Sequence, residues 1–250
     1  MSTTKASLQN NSRKIAVIVG LLYILGTVMG VMSVIFTGPI LDDPNYLIKA
    51  SENQSQLVIA VLMVLTMCLA LAMIPFVLFP VLKRVSETWA VGYLVFRGAL
   101  ETVFGTGTVI SWLFLLVVSR EYVAAGTPAG SAFEALGALL LKAGDPLSAV
   151  AGTVFCLGAL MLYYMFYRSN LIPRWISVFG FIAIALHLVT IILVLFGLQS
   201  TLSMENTMMN LPILVQEMVM AVWLIAKGFN ASAVASLPAN SAASGLLNAA

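Results

Sequence analysis

Long apolar runs separated by short polar stretches dominate the chain, and six of them, at 14–37, 55–82, 90–118, 146–168, 174–198 and 207–228, hold few or no charges. A hydrocarbon core of about 30 Å takes roughly 20 helical residues to cross, so each run is long enough to span it. The pattern predicts an all-α fold, a six-helix transmembrane bundle occupying 14–228. It leaves a short N-terminal tail at 1–13 and a stretch at 229–250 whose Ala, Ser, Asn and Gly content offers no useful apolar face, which reads as an unstructured tail.

The polar stretches carry helix punctuation. Between the third and fourth runs, Ser131 and Glu134 make an S-x-x-E capping box ahead of apolar residues 132–143, with Gly144 as a stop, so a short interfacial helix is expected there. Asp145-Pro146 has the N-cap and first-turn pairing that restarts a helix into the fourth span. Asp43-Pro44 predicts a turn or two of helix before the second span. On the first span, Gly20, Gly26 and Gly30 allow close helix approach, and Pro75 and Pro80 predict a bend in the second.

Composition agrees with the pattern: 61% of residues are hydrophobic, 9% are charged, and the mean hydropathy is +1.03, far above a soluble domain. The net charge of +2, with scattered basic residues, implies no nucleic-acid partner. Lys5, Arg13, Lys14, Lys83, Arg84, Arg168, Arg174 and Lys227 fall on one side of the predicted topology and only Lys49, Arg120 and Lys142 on the other. By the positive-inside rule both termini are then cytoplasmic. Cys68 and Cys156 sit deep in apolar runs, where a thiol acts as a small hydrophobe, so no disulfide framework is indicated.

Charge inside the spans changes the picture. Arg97 and Glu101 in the third, His187 in the fifth and Glu217 in the sixth are costly groups in hydrocarbon, and such groups face a bundle interior where they have a partner or a task. Counting along the helices from their cytoplasmic ends places Glu101, His187 and Glu217 roughly 15 to 20 Å deep, with Arg97 about 6 Å nearer that end. If they converge, one guanidinium meets two carboxylates, and the excess negative charge needs a proton, an imidazolium or a bound cation. Thr102, Thr106, Thr108, Ser111, Asn210 and Gln216 predict a polar chamber between the third and sixth spans. The competing reading is structural: each group taken singly is more simply explained as interhelical glue.

Familiar catalytic patterns are missing. His187 is the one histidine of the chain, which excludes H-E-x-x-H, and there is neither G-x-S-x-G nor a P-loop. A Glu, Glu and His metal site would have Arg97 beside it, and haem would lack the usual second histidine, so neither metal nor cofactor is expected.

Arg13, the run Gly20-Leu21-Leu22-Tyr23-Ile24-Leu25-Gly26, the Arg97 and Glu101 pair, the segment Ser169-Asn170-Leu171-Ile172-Pro173-Arg174-Trp175 and Glu217 together resemble a bacterial membrane-protein family catalogued as domain of unknown function 4386. The likeness covers 13–228, and His187 is not part of it. It implies a multi-pass protein of the bacterial inner membrane and supplies no activity. The residues themselves point to a small carrier or channel-like protein that binds a proton, cation or small cationic ligand at Glu101, Glu217, Arg97 and His187. The alternative is a noncatalytic membrane protein that binds or regulates partner proteins. An intramembrane enzyme acting on lipid, with Glu101 or Glu217 as general base, ranks third.

Overall fold

The structure is a computed structural model that describes residues 2–125, 130–201 and 203–238. Among the described residues ten α-helices follow one another: α1 (Ser2–Leu41), α2 (Tyr46–Glu52), α3 (Gln54–Leu82), α4 (Glu87–Tyr93), α5 (Glu101–Ala125), α6 (Gly130–Lys142), α7 (Gly144–Ser169), α8 (Arg174–Leu195), α9 (Met204–Ala226) and α10 (Ala231–Ser236). A π-helical turn, Leu94–Leu100, joins α4 to α5 without a break. No strand occurs among the described residues. Six helical segments among the described residues are long and apolar enough to cross a bilayer: Asn10–Leu41, Gln54–Leu82, Glu87–Ala125, Gly130–Ser169, Arg174–Leu195 and Met204–Ala226. The chain is a multi-pass membrane protein.

Each span packs on the next in sequence, and α1 closes on α9, so the six form a ring. The glycines of α1 set two of its seams. A Cβ on Gly26 would meet Leu71 at 2.6 Å and one on Gly30 would meet Met67 at 2.9 Å, both on α3, whereas Gly20 lies against Ala221 and Ile225 of α9. Without Cβ atoms the backbones approach and dispersion contacts accumulate, the main source of helix association in lipid. Tyr23, Ile74, Leu78, Tyr93, Tyr163 and Phe166 are fully buried in the ring.

The start of the first span and the described C-terminal segment lie at the same end of the bundle, the one carrying Arg13, Lys83, Arg84, Arg168 and Arg174. Here one expectation is corrected. The stretch from 229 onward read as an unstructured tail, yet α10 forms within it and Phe229, Ala233 and Val234 are buried. Residues 239–250 lie outside the described residues. The order comes from neighbours: the Asn230 N–H donates to the Leu171 carbonyl at 2.8 Å, and Arg84 donates to the carbonyls of Leu237 and Pro238, both at 3.0 Å. A cation at a helix C-terminus satisfies carbonyls that the helix leaves orphaned.

The opposite end is built up by α2 and α6. The helix expected between the third and fourth spans is α6, and it runs antiparallel along α5: Tyr122 donates to Glu134 Oε1 near its start, and Ser111 donates to the Leu140 carbonyl near its end. Asp145 behaves differently from its expected capping role. Its carboxylate accepts from the Thr201 N–H at 2.9 Å, tying the start of α7 to the connection between α8 and α9.

Candidate functional site

The π turn positions the central side chain. The Glu101 N–H donates to the Phe96 carbonyl five residues back, and each extra residue rotates the downstream helix by about 100° relative to an unbroken α-helix. Two missing side chains admit the wider turn. Gly98 faces the ring of Pro75 on α3, and Gly158 of α7 lies so close that a Cβ there would sit 3.2 Å from Arg97 N and Cβ.

Arg97 reaches from this turn into the ring of helices, with 3% of its side chain exposed. Nη1 donates to both carboxylate oxygens of Glu101 at 2.9 Å, and Nη2 donates to Glu217 Oε1 at 3.2 Å. The planar guanidinium fork suits two carboxylates on different helices, which a lysine ammonium would not bridge so rigidly. The guanidinium also stands over the rings of Phe155 (4.6 Å) and Tyr23 (6.0 Å), so α1 and α7 join the third and sixth spans around it. The formal count is one positive charge against two negative ones.

His187 stands apart from this triad. It bonds to Asn210, seven residues along α9 from Glu217, which amounts to about 10 Å of helical rise. The expectation that it shares the level of both glutamates is therefore corrected, and the reason lies in where α8 begins. The Ile176 carbonyl, in the first turn of α8, accepts from Gln216, which is well inside the end of α9 at Ala226. A count started at Arg174 starts too deep. Phe155 lies between the two groups, with Arg97 over its face and His187 against its edge at a centroid distance of 5.6 Å.

A run of amides fixes the imidazole. The Thr201 carbonyl accepts from Asn206 Nδ2 at 2.6 Å, Asn206 Oδ1 accepts from Asn210 Nδ2 at 3.2 Å, and Asn210 Oδ1 meets His187 Nδ1 at 2.6 Å. A carbonyl only accepts, so each amide in turn must present its nitrogen toward Thr201 and its oxygen toward His187. In the neutral ring the proton is therefore on Nδ1, and Nε2 keeps its lone pair. Nε2 has no hydrogen-bond partner among the described residues. It lies beside Gly152, where a Cβ would come within 3.1 Å of it.

A cavity of about 180 Å³ connects the two regions, lined among others by Cys68, Arg97, Glu101, Thr102, Phe155 and His187. The sequence pattern predicts more polar groups here than the structure holds. Thr102 lines the cavity and donates to the Gly98 carbonyl at 2.8 Å, but Thr106 bonds the Val103 carbonyl and Ser111 that of Leu140. Gln216 is wholly buried between Tyr163, whose hydroxyl donates to it at 2.6 Å, and the Ile176 carbonyl. Asn210 is among the polar residues that the sequence places near the site, whereas its relay partner Asn206, Phe155 and Tyr23 are not. A second asparagine one turn before Asn210 is a legible sign; the aromatic rings, among so many, are not. No group of three or more His, Cys, Asp or Glu side chains is placed to hold a metal ion among the described residues.

A family described as Domain of unknown function (DUF4386) matches residues 18–228, and the chain belongs to it. No curated protein and no solved structure matches the chain.

Proposed function

We propose that this member of the DUF4386 family is a small proton- or cation-linked carrier or channel-like protein, with Glu101 and Glu217 as the binding carboxylates and Arg97 as the clamp that holds them. The observation that carries the reading is a charge imbalance beside a space. A guanidinium with 3% exposure is bonded to two carboxylates, and one of these, Glu101, faces a cavity of about 180 Å³. A net negative charge in a poorly hydrated interior is costly, so a proton or cation is drawn there. In this reading the basic end of the bundle faces the cytoplasm, by the positive-inside rule, and the resemblance implies the bacterial inner membrane as the site of action.

The test is flux through liposomes holding the purified protein, with an internal pH dye and a panel of monovalent cations. Unmodified protein should move protons or cations in a pH-dependent manner, and Glu101→Gln and Glu217→Gln should abolish that while leaving the fold intact. Unmodified protein that moves none of them sinks the reading. A second reading, a noncatalytic protein that binds or regulates partner proteins, draws support from Arg97 joining the third and sixth spans, because such a triad also serves packing. Under that reading both Gln variants behave as the unmodified protein in every flux assay.

A further inference from the structure

We propose that the cavity beside Glu101 is a binding site for a small primary ammonium ion, an inference that rests on the carrier reading only in taking Glu101 as the charged binding group. The polar atoms on the wall are nearly all acceptors. Glu101 offers carboxylate lone pairs beyond those that Arg97 uses, and the Thr102 hydroxyl spends its proton on the Gly98 carbonyl and so presents oxygen lone pairs. His187 presents an unpartnered Nε2 lone pair, since the relay from Thr201 through Asn206 and Asn210 holds its proton on Nδ1. Of the donors on the wall, Arg97 is turned to Glu101 and Glu217 and packed over Phe155, and the free thiol of Cys68 is only a weak donor.

The rest of the wall is apolar, with Met67, Leu71, Ala151 and Phe155. The volume of about 180 Å³ slightly exceeds the roughly 150 Å³ of a cavity that takes up benzene, so the occupant has at most about half a dozen heavy atoms. An anion is refused by the carboxylate and by a lack of free donors. A neutral apolar molecule would leave Nε2 and the remaining lone pairs of Glu101 unpaired at a cost. A bare divalent cation wants about six or more oxygen ligands, and no group of three acidic, His or Cys side chains is assembled among the described residues. A quaternary ammonium supplies the charge but no N–H. A primary ammonium supplies one positive charge for the carboxylate, N–H donors for acceptors that line the space, and a short chain to lie on the apolar wall.

The experiment is isothermal titration calorimetry on the full-length protein in detergent, with ethylammonium chloride as probe and tetramethylammonium and sodium chlorides as controls. Saturable ethylammonium binding is expected, with tetramethylammonium about tenfold weaker or more, the scale set by losing hydrogen bonds to a charged group. Glu101→Gln and His187→Phe should each weaken ethylammonium binding by about tenfold, the phenyl ring preserving the edge contact with Phe155. If either variant fails to fold, the selectivity of the unmodified protein between the two ammonium ions decides. Absence of ethylammonium binding, or equal binding of tetramethylammonium, overturns the inference. Glu101-dependent proton flux without ethylammonium binding overturns the ammonium site and leaves the carrier reading standing, whereas ethylammonium binding without any flux does the reverse.

Discussion

Truncating Arg97 would leave the carboxylates of Glu101 and Glu217, 18% and 15% exposed, facing one another without a counter-charge. Removing one partner of a buried ion pair costs about 3–5 kcal/mol, because the remaining charge stays desolvated. Glu101→Gln is a different loss: it keeps one acceptor for Nη1 and discards a negative charge that the site holds in excess, so about 1–2 kcal/mol is expected. Thermal unfolding of the full chain in detergent should then rank Arg97→Ala well below Glu101→Gln, and equal losses would contradict the charge imbalance. Ser177 gives the opposite kind of test. Its hydroxyl is fully buried and makes no hydrogen bond among the described residues, so Ser177→Ala removes a desolvated polar atom and should leave the melting temperature unchanged or raised.

Among the elements, the π turn decides whether the triad forms at all. It needs Gly158 beside it, and Gly158→Ala would set a Cβ 3.2 Å from backbone and Cβ atoms of Arg97, none of which is a flexible side-chain end. Overpacking of this kind costs about 1–3 kcal/mol. Flux should fall together with stability even though every charged group is retained, and a Gly158→Ala protein with unmodified flux would show that the turn tolerates displacement. The sequence makes some of this visible. Six spans are legible because crossing hydrocarbon demands uninterrupted apolar length, and α6 is legible as a helix, although Ser131 lies inside it rather than capping it and the Glu134 carboxylate accepts from Tyr122. The meeting of Glu101 with Glu217 follows from counting residues. The π turn leaves no such mark, since its one local concession, Gly98 against Pro75, is a residue type that the chain's α-helices also carry, and the rest of the room comes from Gly158, far away in the chain. Residue counting misplaces His187 because the depth of a helix end is set by its neighbours, as Ile176 and Gln216 show. The short α10 escapes the sequence pattern because six residues cannot sustain a helix alone, and Arg84 and Leu171 supply what they lack.

At the scale of the whole molecule, the ring of spans is closed by α1 against α9, and at the basic end one arginine fastens that closure while a second holds the C-terminal segment. Arg13 donates to the carbonyls of Ile225 (2.6 Å) and Ala226 (3.2 Å) at the last turn of α9, whereas Arg84 holds the segment after α10. The two contacts look alike locally but differ in what they support. Beyond Ala226 the chain turns at Gly228, whose φ of 72° only glycine adopts without strain, and a Cβ there would meet Arg13 Nη1 at 2.7 Å. Arg13 therefore braces both the end of a span and the turn that launches the C-terminal segment. Removing it should cost about 1 kcal/mol of bundle stability, as for a cation lost from a helix C-terminus, and should also loosen that C-terminal segment. Arg84→Ala should loosen 231–238 alone. Hydrogen exchange resolved by segment distinguishes the two: Arg84→Ala speeds exchange in 231–238 with the melting temperature kept, and Arg13→Ala speeds exchange there and in the last turn of α9 with the melting temperature lowered. If both variants gave the same exchange pattern, the C-terminal segment and the ring closure would be one cooperative unit, and the seam between α1 and α9 would depend on residues beyond the last span.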